Sequence, residues 1–499
     1  MMAAEQLQAV TLAELLSGLA DPGQHAHWVP MGLSLDSRQL EPGGLFLACA
    51  GVSGRHGIDH VEEAVARGAG LVLFEPAGNR QPPSLSVPLI PVPGLSRHAS
   101  LIAARYFGDP SRSLAVIGVT GTNGKSSMVQ LMAATLEALQ MPAASLGTLG
   151  VGRPGALAVA SHTTADAVSL QAHLANLRDQ GVRHVAMEVS SHGLAQHRVA
   201  AVNFRGAIFS NLSHDHLDYH GSESAYAEAK QGLFRHPGLS WAVINGDDYW
   251  ADYMVSALAP GVRRLFFSQQ VLAAEAGDAL QYEAHPHSQG LKIVIRGSLG
   301  EAEIDSSWLG RFNAANIAAV FAALRLEGVA SAPLAEALSR VPPVPGRMER
   351  FGGGRQPLLV VDYAHTPDAL AKALEALREH LRGRLWCVFG CGGDRDRAKR
   401  PQMGRIAAQL ADEVIVTDDN PRGEAGEQIV ADILRGTGRA GRVCRDRAEA
   451  IKEAWSRARP GDIVLVAGKG HESVQIVGDQ AHPFSDRELA RDLAGEERS

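Results

Sequence analysis

The chain has 499 residues, 45% hydrophobic and 20% charged, with a net charge of −7 at pH 7. That length is too great for one core and predicts about three domains, while no apolar run approaches the ~18 residues of a membrane span, so membrane insertion is not expected. The acidic balance argues against a general nucleic-acid binder, whose footprint would be basic, and favours small-molecule chemistry.

The opening segment, "MMAAEQLQAVTLAELLSGLA", carries Glu5 and Glu14 and lacks a basic leader region. It reads as an amphipathic helix rather than a signal peptide, and a cytoplasmic protein is expected. Two apolar strand candidates follow, "GGLFLACAG" and "AGLVLFE", around the helical "HVEEAVARG"; they predict a small α/β domain over residues 1–95. The Pro-rich "RQPPSLSVPLIPVPG" closes it, since proline disfavours continued helix or central strand.

A second domain, 96–343, opens with the β-branched run "SLAVIGVT", a Gly-rich loop and "SSMVQLMAATLEALQ", where Met128, Leu131, Met132, Leu136 and Leu139 recur at helical spacing. Further strand candidates are "HVAMEVSS", "AIFSNLS" and "WAVINGDD". A mainly parallel sheet with helices on both faces is predicted. Beyond the hinge candidate "VPPVPGR", residues 344–499 repeat one theme. "PLLVVDYAH", "LWCVFGCGGDRD", "DEVIVTDDNPR" and "DIVLVAGKGHE" each run an apolar strand into a polar or Gly-rich loop. A Rossmann-like sheet would put all four loops at its carboxyl edge, where open α/β sheets bind ligands. Cys49, Cys387, Cys391 and Cys444 are scattered and read as reduced structural thiols.

The stretch "GVTGTNGKSS" keeps the Gly124-Lys125-Ser126 end of a phosphate loop but has Val119 where the usual pattern puts its first glycine. Strand, Gly-rich turn and helix together aim backbone N–H groups at an anion, with Lys125 for the β/γ-phosphates and the Ser126 hydroxyl for Mg²⁺. Glu188 ends an apolar strand, where a carboxylate could reach a second cation. It could equally serve as an N-cap or ion-pair partner.

In "SNLSHDHLDYHG", His214, Asp215, His216, Asp218 and His220 crowd seven positions and could support metal binding. A dinuclear metallo-hydrolase with an H-x-H-x-D-H motif is therefore a rival reading, but Tyr219 stands where its last histidine should be. A switch GTPase or transport ATPase is disfavoured because no N-K-x-D guanine reader follows a strand.

Taken together, "TGTNGKSS", "MEVSSHGLAQHRV", "NLSHDHLDYHG", "GRFNAANIAA", "DYAHTPD" and "AGKGHES" resemble the Mur ligases, ATP-dependent amide ligases of peptidoglycan precursor synthesis. Folylpolyglutamate synthetase shares the shifted loop and is an alternative, but would not be expected to carry "DNPRGE". That block is similar to the branch that adds meso-diaminopimelate to UDP-N-acetylmuramoyl-L-alanyl-D-glutamate.

The resemblance implies that Leu35, Ser37, Val52, Ser53 and Gly54 hold the uridine diphosphate part, and that His162, Thr163, Thr164, Ser190, Gln196 and Arg198 grip the muramoyl dipeptide. Gly121, Thr122, Asn123, Gly124, Lys125, Ser126 and Ser127 would bind the ATP phosphates, with Asn313 and Asn316 on the adenine side and Asp362 and His365 as further nucleotide contacts. Glu188, His216 and Lys230, the last as a carbamate, would hold Mg²⁺ with Ser126. Without that modification Lys230 would be an ordinary helix-surface lysine.

Arg395, Asp419, Asn420, Pro421, Arg422, Gly468 and Glu472 match the diaminopimelate site. A guanidinium takes the distal carboxylate of that substrate through two parallel hydrogen bonds, and L-lysine has no such group. Arg422 could instead only contact the acidic "GEAGE". His162 and His214 depart from the family, which has asparagine and arginine there. The implied reaction phosphorylates the D-glutamyl γ-carboxylate, and the amine of diaminopimelate attacks the acyl phosphate. A monomer is expected.

Overall fold

The computed structural model describes residues 10–51, 56–77, 80, 83–160, 162–213, 215–270, 278–438 and 441–496. The chain divides into two compact units, Met1–Ala279 with Ala322–Gly328, and Leu280–Phe321 with Val329–Ser499. No helix among the described residues is long and apolar enough to cross a membrane.

Within the first unit, the described part of the expected N-terminal helix is the short Leu12–Leu16, started by a capping box between Thr11 and Glu14. Strands Leu33–Ser34, Gly44–Ala48, Ala69–Phe74 and Leu89–Pro91 form a parallel sheet in that order. A larger sheet follows, with Ala115–Thr120 between Phe204–Phe209 and His184–Glu188, all parallel. Trp241–Asn245 and Arg263–Ser268 extend it on one side, and Ala143–Gly147 on the other. Its central residues, among them Val116, Val119, Val185 and Ile208, are 0% exposed, which is why these strands read as continuous apolar runs. Helix Lys125–Ala138 buries Met128, Leu131, Met132 and Leu136 as their spacing predicts; Leu139 is its C-cap.

The second unit contains the antiparallel strands Asp278–His287, Gly290–Gly297 and Ala302–Ser306, which the apolar pattern alone did not reveal because they alternate with polar residues. Its main sheet runs Glu349–Gly352, Leu358–Asp362, Ile463–Ala467, Leu385–Phe389, Glu413–Val416, Gly441–Val443, parallel except for the first pair. Alternate residues feed two cores. Val360, Cys387 and Leu465 meet helices Pro367–Arg378, Lys399–Leu410 and Gly426–Thr437, whereas Leu359, Val388 and Val464 meet Arg447–Arg457 and Asp486–Ala494. Both faces are thus covered, and only the strand ends are left for function. The four cysteines are free thiols, and burial pushes Cys387 and Cys391 up to about 12.

Candidate functional site

The phosphate loop joins Ala115–Thr120 to the N-terminus of Lys125–Ala138. Its displaced glycine has a steric reason. Gly121 has φ 145°, and a β-carbon there would lie 1.9 Å from Ser210 Oγ and 2.8 Å from the Asn211 carbonyl oxygen. The loop therefore crosses directly over the chain leaving Phe204–Phe209, and only glycine fits. That chain then holds the loop: Thr122 N–H donates to the Asn211 carbonyl at 2.7 Å, Asn123 N–H to Asn211 Oδ1 at 3.0 Å, and Ser210 Oγ to the Asn123 carbonyl at 2.7 Å. Gly124, with φ 89°, turns the chain into the helix.

Two lysines converge on this loop. Lys125 Nζ donates to the carbonyls of Gly121 and Thr122 at 2.7 and 2.8 Å, and Lys230 Nζ to the same Gly121 carbonyl at 2.7 Å. Lys230 is 1% exposed, so it is not a helix-surface lysine. Its ammonium also lies 4.3 Å from the Tyr226 ring centroid. Burial first, and the charge of Lys125 second, hold the Lys230 amine well below the usual lysine range. A neutral amine is the form that combines with CO₂ to give a carbamate and a proton.

Glu188, 2% exposed, ends its strand in register with Val119 and accepts from Thr148 N–H at 2.8 Å and from Thr148 Oγ1 at 3.3 Å. Gly147 is needed beside it, because a β-carbon there would lie 2.2 Å from Glu188 Oε1. His216 sits 6.1 Å from the Tyr226 ring and 4.9 Å from that of His192, while His220 Nε2 is 3.0 Å from Ser191 Oγ.

Among the described residues no three His, Cys, Asp or Glu side chains gather into a metal-binding group. That holds for Asp215, His216, Asp218 and His220 of the histidine-rich segment; His214 lies outside the described residues. The donors nonetheless suit Mg²⁺, which favours one or two carboxylates with phosphates and waters over a cage made entirely of protein ligands. Glu188 and the Ser126 hydroxyl are oxygen donors of that kind.

For the uridine and dipeptide parts, Val52, Ser53 and Gly54 lie outside the described residues. Leu35 is partly buried, and the Ser37 hydroxyl donates to Glu63 at 2.6 Å. His162, Thr163 and Thr164 line a cavity of about 190 Å³ with Leu146 and Gly147. The Thr164 hydroxyl is committed to the backbone, donating to the Glu188 carbonyl at 2.9 Å and accepting from Ser190 N–H at 3.0 Å. Ser190 caps the helix Ser191–Ala195. Gln196 Oε1 accepts from Arg198 Nη2 at 2.6 Å, and Arg198 Nη1 donates to the Thr164 carbonyl at 2.6 Å. Burial lowers the Arg198 pKa against the opposing charge of Asp166, and Arg198 has no carboxylate in ion-pair contact among the described residues.

In the second unit, Asn313 and Asn316 are 2% and 4% exposed within the helix Arg311–Leu326. Asn313 Nδ2 donates to the Leu309 carbonyl at 2.8 Å, and Asn316 Nδ2 to Asn313 Oδ1 at 2.9 Å. Asp362 accepts from the backbone N–H groups of Met348 and Ala364, both at 2.8 Å, and burial raises its pKa. No motif singles out Arg347, whose guanidinium lies 4.7 Å from the Tyr363 ring centroid and whose Nε is buried without a hydrogen bond among the described residues. Its signal was one arginine at the end of "VPPVPGR".

The four expected loops do meet at the carboxyl edge. A cleft of about 420 Å³ is lined by Tyr363 and His365, by Gly390, Gly392 and Arg395, by Asp419, Asn420 and Arg422, and by Gly468 and Glu472. Both arginines flank Gly392, where a β-carbon would lie 2.8 Å from Arg422 Nη1 and 3.8 Å from Arg395 Cγ. Arg422 holds φ 52°, pinned by its N–H to the Ile476 carbonyl at 3.0 Å and by Gly478 N–H to its own carbonyl at 2.8 Å.

Among the described residues Arg422 Nη1 reaches only the Gly393 carbonyl, at 3.0 Å, and Arg395 Nη1 the Asp394 carbonyl at 3.1 Å. The acidic segment is served by other arginines: Arg400 pairs with Glu424 and Asp432 at 2.8 and 2.9 Å, and Arg397 with Glu424 at 3.0 Å. Hydrogen bonds from Arg400 hold the Glu424 carboxyl down to about 2. The cleft thus offers two guanidiniums that have no carboxylate partner among the described residues, and the carboxylates of Asp419 and Glu472 line it too.

Comparison with known proteins agrees with this layout. Residues 119–324 match the Mur ligase middle domain and residues 346–470 the Mur ligase, glutamate ligase domain. A UDP-N-acetylmuramoyl-L-alanyl-D-glutamate--2,6-diaminopimelate ligase of Alkalilimnicola ehrlichii is 51% identical over 477 residues, covering 93% of this chain and 95% of the relative. One of Pseudomonas aeruginosa, named for the same activity, is 49% identical over 471 residues, covering 92% and 93%. A solved structure so named has a TM-score of 0.73 at 36% identity and covers 98% of this chain and 99% of its own. A Mycobacterium tuberculosis folylpolyglutamate synthase complexed with ADP and AMPPCP, 19% identical with a TM-score of 0.60 over 81% of this chain and 96% of its own, shares the fold alone. With matched domains over most of its length and relatives near half identity, this chain belongs to the Mur ligase family.

Proposed function

We propose that the chain joins meso-2,6-diaminopimelate to UDP-N-acetylmuramoyl-L-alanyl-D-glutamate at the expense of ATP, in peptidoglycan precursor synthesis. The observation that carries this reading is the cleft of the second unit, where Arg395 and Arg422 have no carboxylate partner among the described residues and Asp419 and Glu472 line the same cleft. An amino acid with a second carboxylate and a second ammonium satisfies both charges. A mono-carboxylate such as L-lysine leaves Arg422 without its partner, and unpaired polar groups in a cleft are what discriminate against such analogues.

A carboxylate and an amine do not condense readily in water. In this reading the γ-phosphoryl group of ATP passes to the D-glutamyl γ-carboxylate, the substrate amine attacks the acyl carbon, and inorganic phosphate leaves. Lys125 follows the charge on the transferring phosphoryl, and the backbone N–H groups of the phosphate loop orient it. Arg198 holds the anionic dipeptide in place. Mg²⁺, taken by Ser126, Glu188, His216 and the carbamate on Lys230, supplies charge neutralisation when bound. Uridine recognition by Leu35, Ser37 and the segment 52–54, the adenine role of Asn313 and Asn316, the nucleotide contacts of Asp362 and His365, and the domains 1–95, 96–343 and 344–499 belong to the same proposal. So does a monomeric, cytoplasmic enzyme, tested by sedimentation and cell fractionation.

The decisive measurement is ADP release in the presence of ATP and the UDP-muramoyl dipeptide, with either meso-diaminopimelate or L-lysine added. Release that depends on meso-diaminopimelate is expected. Equal release with L-lysine, or release without any amino acid, would overturn the reading.

A further inference from the structure

Lys469 lies between two glycines in "AGKGHE", a setting that suggests an exposed loop lysine, yet it is 0% exposed. Its Nζ donates to Asn420 Oδ1 at 2.9 Å, to Glu472 Oε2 at 3.0 Å and to the Val474 carbonyl at 2.7 Å. All three ammonium N–H groups are therefore used, the condition under which a buried ammonium is tolerated.

The consequence falls on Glu472. Its Oε2 also accepts from Asn420 Nδ2 at 2.9 Å, while Oε1 has no hydrogen bond among the described residues, and the side chain lines the cleft. Asn420 is locked in turn, because its Oδ1 accepts from Ile476 N–H at 3.0 Å as well as from Lys469. One carboxylate oxygen is thus fastened from beneath and the other remains open. On the same edge, Gly468 at φ 119° leaves space where a β-carbon would stand 2.5 Å from Asp419 Oδ2.

We propose that Lys469 is a positioning residue for amino-acid selection: it fastens Glu472 and Asn420 so that an oriented, charged oxygen receives the substrate ammonium that does not react. The attacking amine must be neutral, so a fixed anionic partner serves the other one. This rests on the reading that the cleft takes diaminopimelate. A mere strut for the strand Val474–Val477 would need only the bond to the Val474 carbonyl.

The test compares wild type with Lys469→Met, which keeps the length of the stem and removes the charge. Steady-state constants are measured for meso-diaminopimelate, for ATP, and for 2-aminopimelate, the analogue with one amine missing. A KM for meso-diaminopimelate raised about tenfold, an ATP KM changed less than twofold, and a preference over 2-aminopimelate reduced by the same factor are expected. Adding Lys469→Met to Glu472→Gln should cost nothing further, since the two act as one unit.

If Lys469→Met does not fold, Lys469→Gln, which keeps a donor but not the charge, is expected to lose the preference likewise. An unchanged preference in the folded variant, or equal increases in every KM, would overturn the proposal. Wild-type enzyme without diaminopimelate-dependent turnover would overturn the functional reading instead.

Discussion

At the scale of single residues, the Lys230 amine is held against the phosphate loop, donating to the Gly121 carbonyl at 2.7 Å beside the Tyr226 ring. From its residue type alone Lys230 is a helix-surface lysine, the commoner fate, and its burial excludes that. Lys230→Ala should abolish ADP release, with partial recovery on adding short carboxylates; full activity without them would remove the carbamate from the scheme. Arg422 was poised between the acidic segment and a ligand, and Arg400 and Arg397 occupy the first role. Arg422→Ala should raise the KM for meso-diaminopimelate about tenfold or more, the worth of a charge-assisted hydrogen bond, with little change for ATP. Equal effects on both would make Arg422 a structural residue. Asn420, expected to touch substrate, spends its side chain on Lys469, Glu472 and Ile476. Nothing in a single sequence distinguishes a contact residue from the one that holds it.

At the scale of elements, loops are fixed by what crosses them. Gly121→Ala places a methyl group against Ser210 and the Asn211 backbone at a φ that L side chains rarely adopt. Loss of nucleotide-dependent activity with little change in the other loops is expected, measured by ATP binding in titration calorimetry; wild-type affinity would refute the steric account.

In the second unit the C-terminal helix Asp486–Ala494 is tied by Asp486 to Arg447 through two bonds of 2.7 Å, and Arg447 Nη2 also donates to the Ala467 carbonyl at 3.0 Å. The paired side chains are 1% and 0% exposed. Arg447→Met should cost about 3–5 kcal/mol in urea unfolding, because it strands a buried carboxylate. The double variant Arg447→Met/Asp486→Leu should recover much of that loss, and failure to recover would point to the carbonyl bonds rather than the pair.

At the scale of the whole molecule, buried histidines contribute to the loss of stability in acid. Burial lowers the pKa of His173, His184, His192, His197, His220, His380 and His471, and takes His236 to about 4 from its ordinary 6.5. The unfolded chain therefore binds protons that the folded one refuses. This contribution is fully present above pH 6.5 and is lost as pH falls towards 4. Chemical-denaturation stability should fall across that window with net proton uptake on unfolding. For His236→Phe, whose ring would sit against Phe204 as the imidazole does, the slope should be shallower; an identical slope would assign the effect to the other histidines.

Legible in the residues alone were the buried parallel strands, the phosphate loop and the four loops at one sheet edge, because such strands must be continuously apolar and their Gly-rich exits punctuate them. It also carried the family, since the motifs keep their order along the chain. Burial and pairing came from the packing of distant segments. Lys230 and Lys469 look alike in sequence to any surface lysine, and the three alternating strands from Asp278 to Ser306 lack an apolar run. Periodicity records which face an element buries, whereas the partner of a charge is chosen by segments distant in sequence that the fold brings within about 3 Å.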